Sequence, residues 1–180
     1  MSQITVWGRK SSVNVQSVLW CLDELGLAYS RIDAGFTYGV VTTPTFLEMN
    51  PNGKVPVLVD GDGPPIFEAG AILRYLATQY AVAPFWPDSP SERAVVDKWA
   101  EWAKINFASH FISDVFWPLV RIPPSKRDFA AIKAALISIE KELAVANKIL
   151  ATHDYLAGNH FSLADIQLGH CLYRYYDIDV

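Results

Sequence analysis

Short apolar runs separated by turn residues fill the first part of the chain. Ile4–Trp7 is rich in β-branched and aromatic residues and predicts a strand. A loop at residues 8–12 follows, and apolar positions three and four apart then predict a helix that ends at Gly26. The apolar face of this helix comprises Val15, Val18, Leu19, Leu22 and Leu25. Because residues 28–67 carry further strand-like runs, this part of the chain predicts a small α/β domain.

The pattern changes at residues 82–89, a proline-rich segment without a period. Beyond it, apolar positions follow helical spacing almost throughout. We expect the first of these helices to end at Pro118. One face of it carries Val95, Trp99, Trp102 and Asn106. The sequence therefore predicts two domains, residues 1–81 and residues 90–180, with the linker between them.

A long stripe in the second domain places apolar residues four and three apart. Its members are Ile132, Leu136, Ile139, Leu143, Ala146 and Leu150. The spacing fits either a coiled coil or the core helix of a bundle. We favour the core helix because the stripe is short and is flanked by Pro123-Pro124 and Gly158.

A helix start is encoded at Ser162, with Asp165 three residues later. In this capping-box pattern the side chain of each residue bonds the backbone N–H of the other. Phe161 precedes the cap and is placed to pack against Ile166 as a hydrophobic staple. We assign this motif to folding and not to chemistry.

Residues 50–58, Asn-Pro-Asn-Gly-Lys-Val-Pro-Val-Leu, combine a turn with a strand start. Pro56 has no N–H and therefore belongs at a strand start or an edge. A cis bond before Pro56 would leave the N–H and C=O of Val55 free to pair with an extended ligand backbone. An ordinary trans bond is the commoner case, since only about 5–6% of X–Pro bonds are cis.

A second helix start lies near Glu68. The apolar positions that follow it with helical spacing are Ile72, Tyr75, Leu76 and Tyr80. The unpaired N–H groups of a helix start bind carboxylates, and the Glu68 carboxylate could hold an ammonium group. An α-amino acid would satisfy both. The alternative is that Glu68 only complements the dipole of its own helix.

Together these residues resemble the cytosolic glutathione transferase family, in its serine-type, bacterial-like form. The signature is Asn-Pro-x-Gly-x-Val-Pro-x-Leu, then Glu68, then Ala-Ile-x-x-Tyr-Leu. The resemblance covers residues 3 to 176. It implies a thioredoxin-like α/β domain followed by an all-α helical domain, and a cis peptide at Pro56. It also implies that glutathione binds as co-substrate to the Val55 backbone, Glu68 and Ala69.

The loop after the first strand supplies the candidate catalytic group. In serine-type members a hydroxyl just before the first helix donates to the glutathione sulfur, and Ser11 and Ser12 occupy that place. Asn14 is a third candidate, and one of the serines is also expected to be the helix N-cap. Lowering a thiol pKa of about 8.5 by about two units takes about 2.7 kcal/mol. One hydrogen bond to a charged group contributes about 1.5–3 kcal/mol, so one hydroxyl suffices without a general base.

The sequence departs from the family pattern in two places. Ala69 stands where serine is usual, which removes a hydroxyl for the γ-glutamyl carboxylate but keeps the backbone N–H. Members usually continue beyond the capped helix, whereas this sequence ends at Val180, so a shortened chain is one interpretation. The Lys54 amine is either a partner for the glycine carboxylate of glutathione or a solvated turn lysine.

The resemblance implies an enzyme that conjugates the glutathione thiolate to small hydrophobic electrophiles, acts in detoxification and forms a homodimer. Candidates for lining a hydrophobic second-substrate pocket, each of which also fits a core position, are Trp7, Arg9, Phe111 and Trp117. One alternative is a non-catalytic glutathione transferase-like binding or scaffold module, which Ala69 and the early end favour. Another is a glutathione-dependent peroxidase or disulfide reductase.

Composition narrows the possible partners. The 180 residues are 51% hydrophobic and carry a net charge of −4, without a Lys/Arg-rich run, which argues against nucleic acid. Cys21 and Cys171 form no Cys-x-x-Cys and are expected to be buried thiols. The four histidines lack metal-ligand spacing, so no metal is expected. With no signal peptide and no apolar run of about 18 residues, we expect a cytoplasmic protein that does not enter the membrane.

Overall fold

The structure is a computed structural model that describes residues 3–178. The chain divides into two compact units, an N-terminal unit up to Ala81 and a helical unit from Val82.

A four-stranded mixed sheet forms the centre of the N-terminal unit. Its strands are β1 (Ile4–Trp7), β2 (Tyr29–Ile32), β3 (Val57–Asp60) and β4 (Ile66–Phe67). The strand order is β2-β1-β3-β4, with β1 parallel to β2 and the other pairs antiparallel. The helices of this unit are α1 (Val13–Glu24), α2 (Pro44–Met49) and α3 (Ala69–Tyr80). This is the predicted thioredoxin-like α/β arrangement.

The core of the N-terminal unit follows the predicted periodicities. In β1, Ile4 and Val6 are buried while the residues between and after them are only partly buried. Helices α1 and α3 pack against each other through their apolar faces. After α1 the chain turns at Gly26, whose φ of +64° lies in the left-handed region that favours glycine.

One row of paired residues crosses all four strands. Trp7 pairs with Ile32 on one side and with Val57 on the other, and Val57 pairs with Phe67. The loop after β1, the segment before β3 and the start of α3 therefore leave the sheet at the same edge.

The helical unit contains α4 (Pro90–Trp102), α5 (Trp117–Arg121), α6 (Phe129–Leu150) and α7 (Leu163–Asp177). Two π-helical stretches lie between α4 and α5, at Ala103–Ser109 and Phe111–Phe116. The helical backbone thus continues from Pro90 to Arg121.

The prediction that this helix ends at Pro118 is wrong. Pro118 lies within this continuous helical backbone, directly after the π-helical stretch Phe111–Phe116 and Trp117, where the altered hydrogen bonding accommodates the missing N–H of proline. The core-facing side also differs from the predicted face, because Val95 is exposed and Val96 is buried. In α6 the core-helix prediction is confirmed. Its buried positions are Ile132, Ile139 and Ala146, whereas Leu150 is exposed.

The capping box at the start of α7 forms. The Ser162 N–H donates to Oδ2 of Asp165 at 2.8 Å, and the Ser162 hydroxyl donates to the same oxygen at 2.9 Å. Oδ1 of Asp165 accepts the N–H of Leu156 at 2.9 Å. The carboxylate therefore also ties the preceding loop to the helix start. Phe161 packs against the rings of Phe85 and Tyr155.

Candidate functional site

The candidate site lies at the edge of the sheet where the three segments meet. Gly8 follows β1, and a Cβ placed on it would stand 3.3 Å from Cβ of Val55, just before β3. Neighbouring strands lie about 4.8 Å apart, so the distance from β1 across β3 to β4 is about 10 Å. An extended tripeptide is also about 10 Å long. The edge therefore has room for one tripeptide across it.

Ser12 is the N-cap residue of α1 and is 7% exposed. Its N–H donates to the carbonyl oxygen of Arg9 at 3.1 Å, which closes the loop as a turn. Its hydroxyl makes no capping bond to the N–H groups of α1. A hydroxyl that its own helix does not use can donate to an acceptor outside the helix.

The other two catalytic candidates have different surroundings. Ser11 is exposed. Asn14 is the second residue of α1 and is partly buried, and its carbonyl oxygen accepts the Ser17 hydroxyl at 2.9 Å. The structure thus places all three candidates in one loop and helix start, with Ser12 the most buried.

The turn before β3 is held by a buried amide. Asn50 is 2% exposed, and its Nδ2 donates to the carbonyl oxygen of Lys54 at 2.8 Å. Its Oδ1 accepts the Asn52 N–H at 3.0 Å. The Lys54 side chain is exposed. Asn50 therefore fixes the turn that carries Lys54.

The Val55–Pro56 peptide bond is cis, as the resemblance implied, and Pro56 is buried. Between residues 3 and 178, no backbone group hydrogen-bonds the N–H or the C=O of Val55. Those two groups are therefore available to an added extended peptide.

Glu68 is the N-cap residue of α3, with an exposed side chain and a φ of +68°. A left-handed φ in a residue other than glycine costs about 1–2 kcal/mol and is enriched at binding sites. The Ile72 N–H bonds the Glu68 carbonyl at 3.0 Å, so the N–H groups of residues 69–71 have no partner within the helix. Ala69 is the first residue of α3 and is buried. This helix start presents N–H donors beside a carboxylate.

The pocket candidates of the N-terminal unit have partners of their own. The Trp7 ring packs edge-on against buried Phe46, with ring centroids 6.3 Å apart, so packing accounts for Trp7. The Arg9 guanidinium lies 5.6 Å above the ring of Phe36, which is 72% exposed. Arg9 and Phe36 therefore form a surface pair beside the Ser12 loop.

In the helical unit, Phe111 is fully buried and stacks on Phe107 with ring centroids 5.7 Å apart. Of the two alternatives that the sequence leaves for Phe111, a pocket residue and a core residue, this burial favours the core. Trp117 is 42% exposed, and the Arg121 guanidinium lies 4.4 Å above its ring.

Sequence reasoning gave no role to three residues that shape the edge. Asn50 belongs to the motif at residues 50–58, but its bond to the Lys54 carbonyl forms only in the folded turn. Gly8 lies in the predicted loop, and its close packing against Val15 and Val55 depends on segments that are distant in sequence. Arg31 donates to the carbonyl oxygen of Gly8, and its only sequence signal is Asp33, an opposite charge two residues later and just beyond the end of β2.

The cysteines are unsuited to thiolate chemistry. Burial raises the pKa of Cys21 to about 12 and that of Cys171 to about 12, so both are the buried thiols expected from the sequence. Among the described residues, no group of three or more His, Cys, Asp or Glu side chains could hold a metal ion. No helix in residues 3–178 is long and apolar enough to cross a membrane.

Two protein-family models match the chain. Residues 2–78 match the "Glutathione S-transferase, N-terminal domain" and residues 108–180 match the "Glutathione S-transferase, C-terminal domain". Among curated proteins, glutathione S-transferase GstB of Escherichia coli strain K12 is 40% identical over 176 residues. That alignment covers 97% of this chain and 84% of GstB.

Solved structures agree with the family models. The theta class glutathione S-transferase of Xanthomonas axonopodis pv. citri, with glutathione bound, is 43% identical and superposes with a TM-score of 0.92. The match covers 100% of this chain and 86% of that one. A glutathione S-transferase from Pseudomonas fluorescens is 31% identical with a TM-score of 0.86, over 99% of this chain and 88% of that one. The protein therefore belongs to the glutathione S-transferase family and is a glutathione transferase.

Proposed function

We propose that the protein conjugates the thiolate of glutathione to small hydrophobic electrophiles, with Ser12 as the residue that stabilises the thiolate. One observation carries this proposal: Ser12 is a buried residue at the N-terminus of α1, yet its hydroxyl makes no capping bond to that helix. A donor that its own helix does not use is suited to an external anion. Ser11 is exposed and therefore less well oriented.

We assign the other groups of glutathione to residues at the edge of the sheet. The γ-glutamyl ammonium pairs with Glu68, and its carboxylate accepts from the N–H groups at the start of α3, including that of Ala69. The central residue pairs with the free backbone groups of Val55, and the glycine carboxylate meets the Lys54 ammonium. The Xanthomonas relative, whose structure has glutathione bound, supports glutathione as the ligand.

This arrangement works by positioning and by stabilising the anion. The Ser12 hydroxyl donates to the sulfur, which favours the thiolate over the thiol. A bond of this kind contributes about 1.5–3 kcal/mol, enough to lower the thiol pKa by one to two units. The thiolate then attacks the electrophilic carbon and displaces its leaving group or adds to its double bond.

Two finer features belong to the same proposal. Arg9, which keeps exposed surface beside the Ser12 loop, is the candidate for contact with the electrophile. We also propose that the protein is a homodimer, as in the family, and sedimentation at several protein concentrations tests this.

Single substitutions in the loop test the thiolate role. Ser12→Ala should raise the pKa of the bound glutathione thiol, measured by the ultraviolet absorbance of the thiolate across a pH titration. Its conjugation rate at neutral pH should fall while its affinity for S-methylglutathione stays unchanged. Ser11→Ala is the matched control and should retain the parent titration. A parent-like titration in Ser12→Ala would reject Ser12, and a shift in Asn14→Ala instead would transfer the role to Asn14.

A second candidate is a glutathione transferase-like binding or scaffold module without turnover. Ala69 favours it, because the hydroxyl usual at this position is absent and glutathione is then bound less tightly. A conjugation assay beside a peroxide-reduction assay separates conjugation, peroxidase activity and the absence of turnover.

A further inference from the structure

We propose that Arg31 is a positioning residue for the transfer reaction: its guanidinium holds the loop that carries Ser12 by bonding the carbonyl oxygen of Gly8. This inference rests on the proposed role of Ser12. Arg31 lies in β2, touches neither the serines nor the groups assigned to glutathione, and acts only through the loop.

The loop between β1 and α1 is anchored along one side by the segment that ends β2. The Gly8 N–H donates to the carbonyl oxygen of Ile32 at 2.8 Å, and the Arg9 N–H donates to that of Ala34 at 3.1 Å. Nη1 of Arg31 donates to the carbonyl oxygen of Gly8 at 2.9 Å. All three bonds therefore fix the two peptide groups that flank Gly8, four residues before Ser12.

Asp33 orients the guanidinium. Oδ1 of Asp33 bonds Nη1 of Arg31, and Oδ2 lies 3.4 Å from Nη2. The Arg31 side chain is 25% exposed and the Asp33 side chain 38% exposed, so the pair is partly shielded from water. Because Nη1 bonds both the carboxylate and the Gly8 carbonyl, the carboxylate directs the donor towards the loop.

Gly8 is a sensitive point at which to hold the loop. It is buried, and a Cβ at this position would stand 2.5 Å from Cγ2 of Val15, so the backbone fits closely against α1. A shift of Gly8 is therefore transmitted to the start of α1. The turn from Arg9 to Ser12 carries the same shift to the hydroxyl.

The decisive experiment measures the pKa of the bound glutathione thiol separately from the affinity for the peptide. Arg31→Met keeps the apolar stem but removes the donor. We expect the pKa of the bound glutathione thiol to rise by about one unit, a tenfold loss of thiolate below that pKa. Conjugation at neutral pH should fall by the same factor and recover at higher pH. The affinity for S-methylglutathione should stay within twofold of the parent value, because the contacts assigned to the backbone of this ligand lie on Val55 and Glu68.

Two conservative variants keep the test informative if Arg31→Met does not fold. Arg31→Lys retains the charge but lacks the planar fork, and it should give a smaller shift in the same direction. Asp33→Asn removes the charge that orients the guanidinium and should also give a smaller rise in the pKa of the thiol. Arg93→Met is the matched control, since Nε of Arg93 donates to the carbonyl oxygen of Pro87 at the same 2.9 Å in the helical unit. It should lower the melting temperature without moving the thiol titration.

The outcomes distinguish this inference from the role of Ser12. If Ser12→Ala shifts the titration and the Arg31 and Asp33 variants do not, the positioning role is overturned and the serine role stands. If Ser12→Ala does not shift the thiol titration, the proposed role of Ser12 is rejected, and the positioning role that rests on it is rejected too. Should both act, Arg31→Met must add no further shift in the Ser12→Ala background. An additive shift there would mean that Arg31 acts on the thiol by another route and would also overturn the proposal.

Discussion

Gly8 and Val55 lie against each other, so that a Cβ on Gly8 would stand 3.3 Å from the Cβ of Val55. Gly8 begins the loop that carries Ser12, and Val55 has the backbone groups that we assign to glutathione. The contact joins the part of the edge proposed to hold the sulfur to the part proposed to hold the tripeptide. An atom added between these two residues would displace both and would therefore affect both functions.

Gly8→Ala tests this contact. The added methyl group would meet Cγ2 of Val15 at 2.5 Å, closer than real contacts, so the loop must move. We expect weaker glutathione binding together with a higher pKa of the bound thiol, measured by calorimetry and by thiolate titration. Gly26→Ala is the control, because no atom lies within 4 Å of its Cβ position although its φ is +64°. The Gly26→Ala protein should lose about 1–2 kcal/mol of stability and keep the parent glutathione affinity and thiol pKa. Identical behaviour of the two variants would contradict the link.

Much of the N-terminal unit could be predicted because its signals are local. The strand Ile4–Trp7 and the helix starts at residue 13 and at Glu68 depend on periodicity and on turn residues, which neighbouring positions determine. The turn at residues 50–54 was equally visible. For Pro56 the residues alone favoured the commoner trans bond, and only the family resemblance implied the observed cis bond.

What could not be predicted depends on contacts between distant segments. Helical spacing marks an apolar face at Val95, but packing of the unit buries Val96 instead, and π-helical turns later in the same helix accommodate a proline. Phe111 matched a pocket residue by type, and only its burial shows that it serves the core. The bond from Arg31 to Gly8 spans 23 residues and leaves no periodic signal.

Asp165→Ala should destabilise the helical unit more than Ser162→Ala. The carboxylate accepts the N–H groups of Leu156 and Ser162 as well as the Ser162 hydroxyl, so its removal leaves two backbone donors unpaired. Each unpaired buried donor costs about 1–3 kcal/mol, whereas losing the hydroxyl costs about 1 kcal/mol. Chemical denaturation gives the order, and glutathione affinity should stay unchanged in both variants. Equal losses would mean that the bond to Leu156 contributes nothing.

His170 should make the stability of the protein depend on pH. It is 5% exposed, with Nδ1 3.0 Å from the carbonyl oxygen of Ile166 and Nε2 3.3 Å from Sγ of Cys171. Burial, and secondly the Lys104 charge, lower its pKa from 6.5 to about 4. The unfolded chain therefore binds a proton that the folded chain does not between these values. The contribution of this pKa difference to the free energy of unfolding is fully present above pH 6.5. It is lost as the pH falls towards 4, by about 3 kcal/mol in total.

Denaturation at a series of pH values, compared with a neutral variant, checks this dependence. His170→Gln cannot be protonated, so its stability should fall less between pH 6.5 and 4 than that of the parent. His153→Gln is the control, because His153 is exposed. If parent and His170→Gln lose stability in parallel over this range, His170 is not the group responsible.

Ala69→Ser should tighten glutathione binding. Ala69 is the first residue of α3, beside the unpaired N–H groups that we assign to the γ-glutamyl carboxylate, so a hydroxyl here would add one donor to that anion. Bonds to charged groups contribute about 1.5–3 kcal/mol, which corresponds to a tenfold to hundredfold lower Kd by calorimetry. Ala71→Ser is the control, because it makes the same exchange two residues later, at an exposed position of the same helix.

The gain should appear in binding and not in the rate of the chemical step. The γ-glutamyl carboxylate is remote from the sulfur and interacts alike in the ground state and in the transition state, so KM for glutathione should fall while kcat stays constant. Ala69 is buried, and a hydroxyl without room would instead lower stability, which a melting curve of the free protein detects. Unchanged affinity in a stably folded Ala69→Ser protein would mean that this helix start does not hold the γ-glutamyl carboxylate. Combined with absent conjugation, that result would favour the scaffold module over the enzyme.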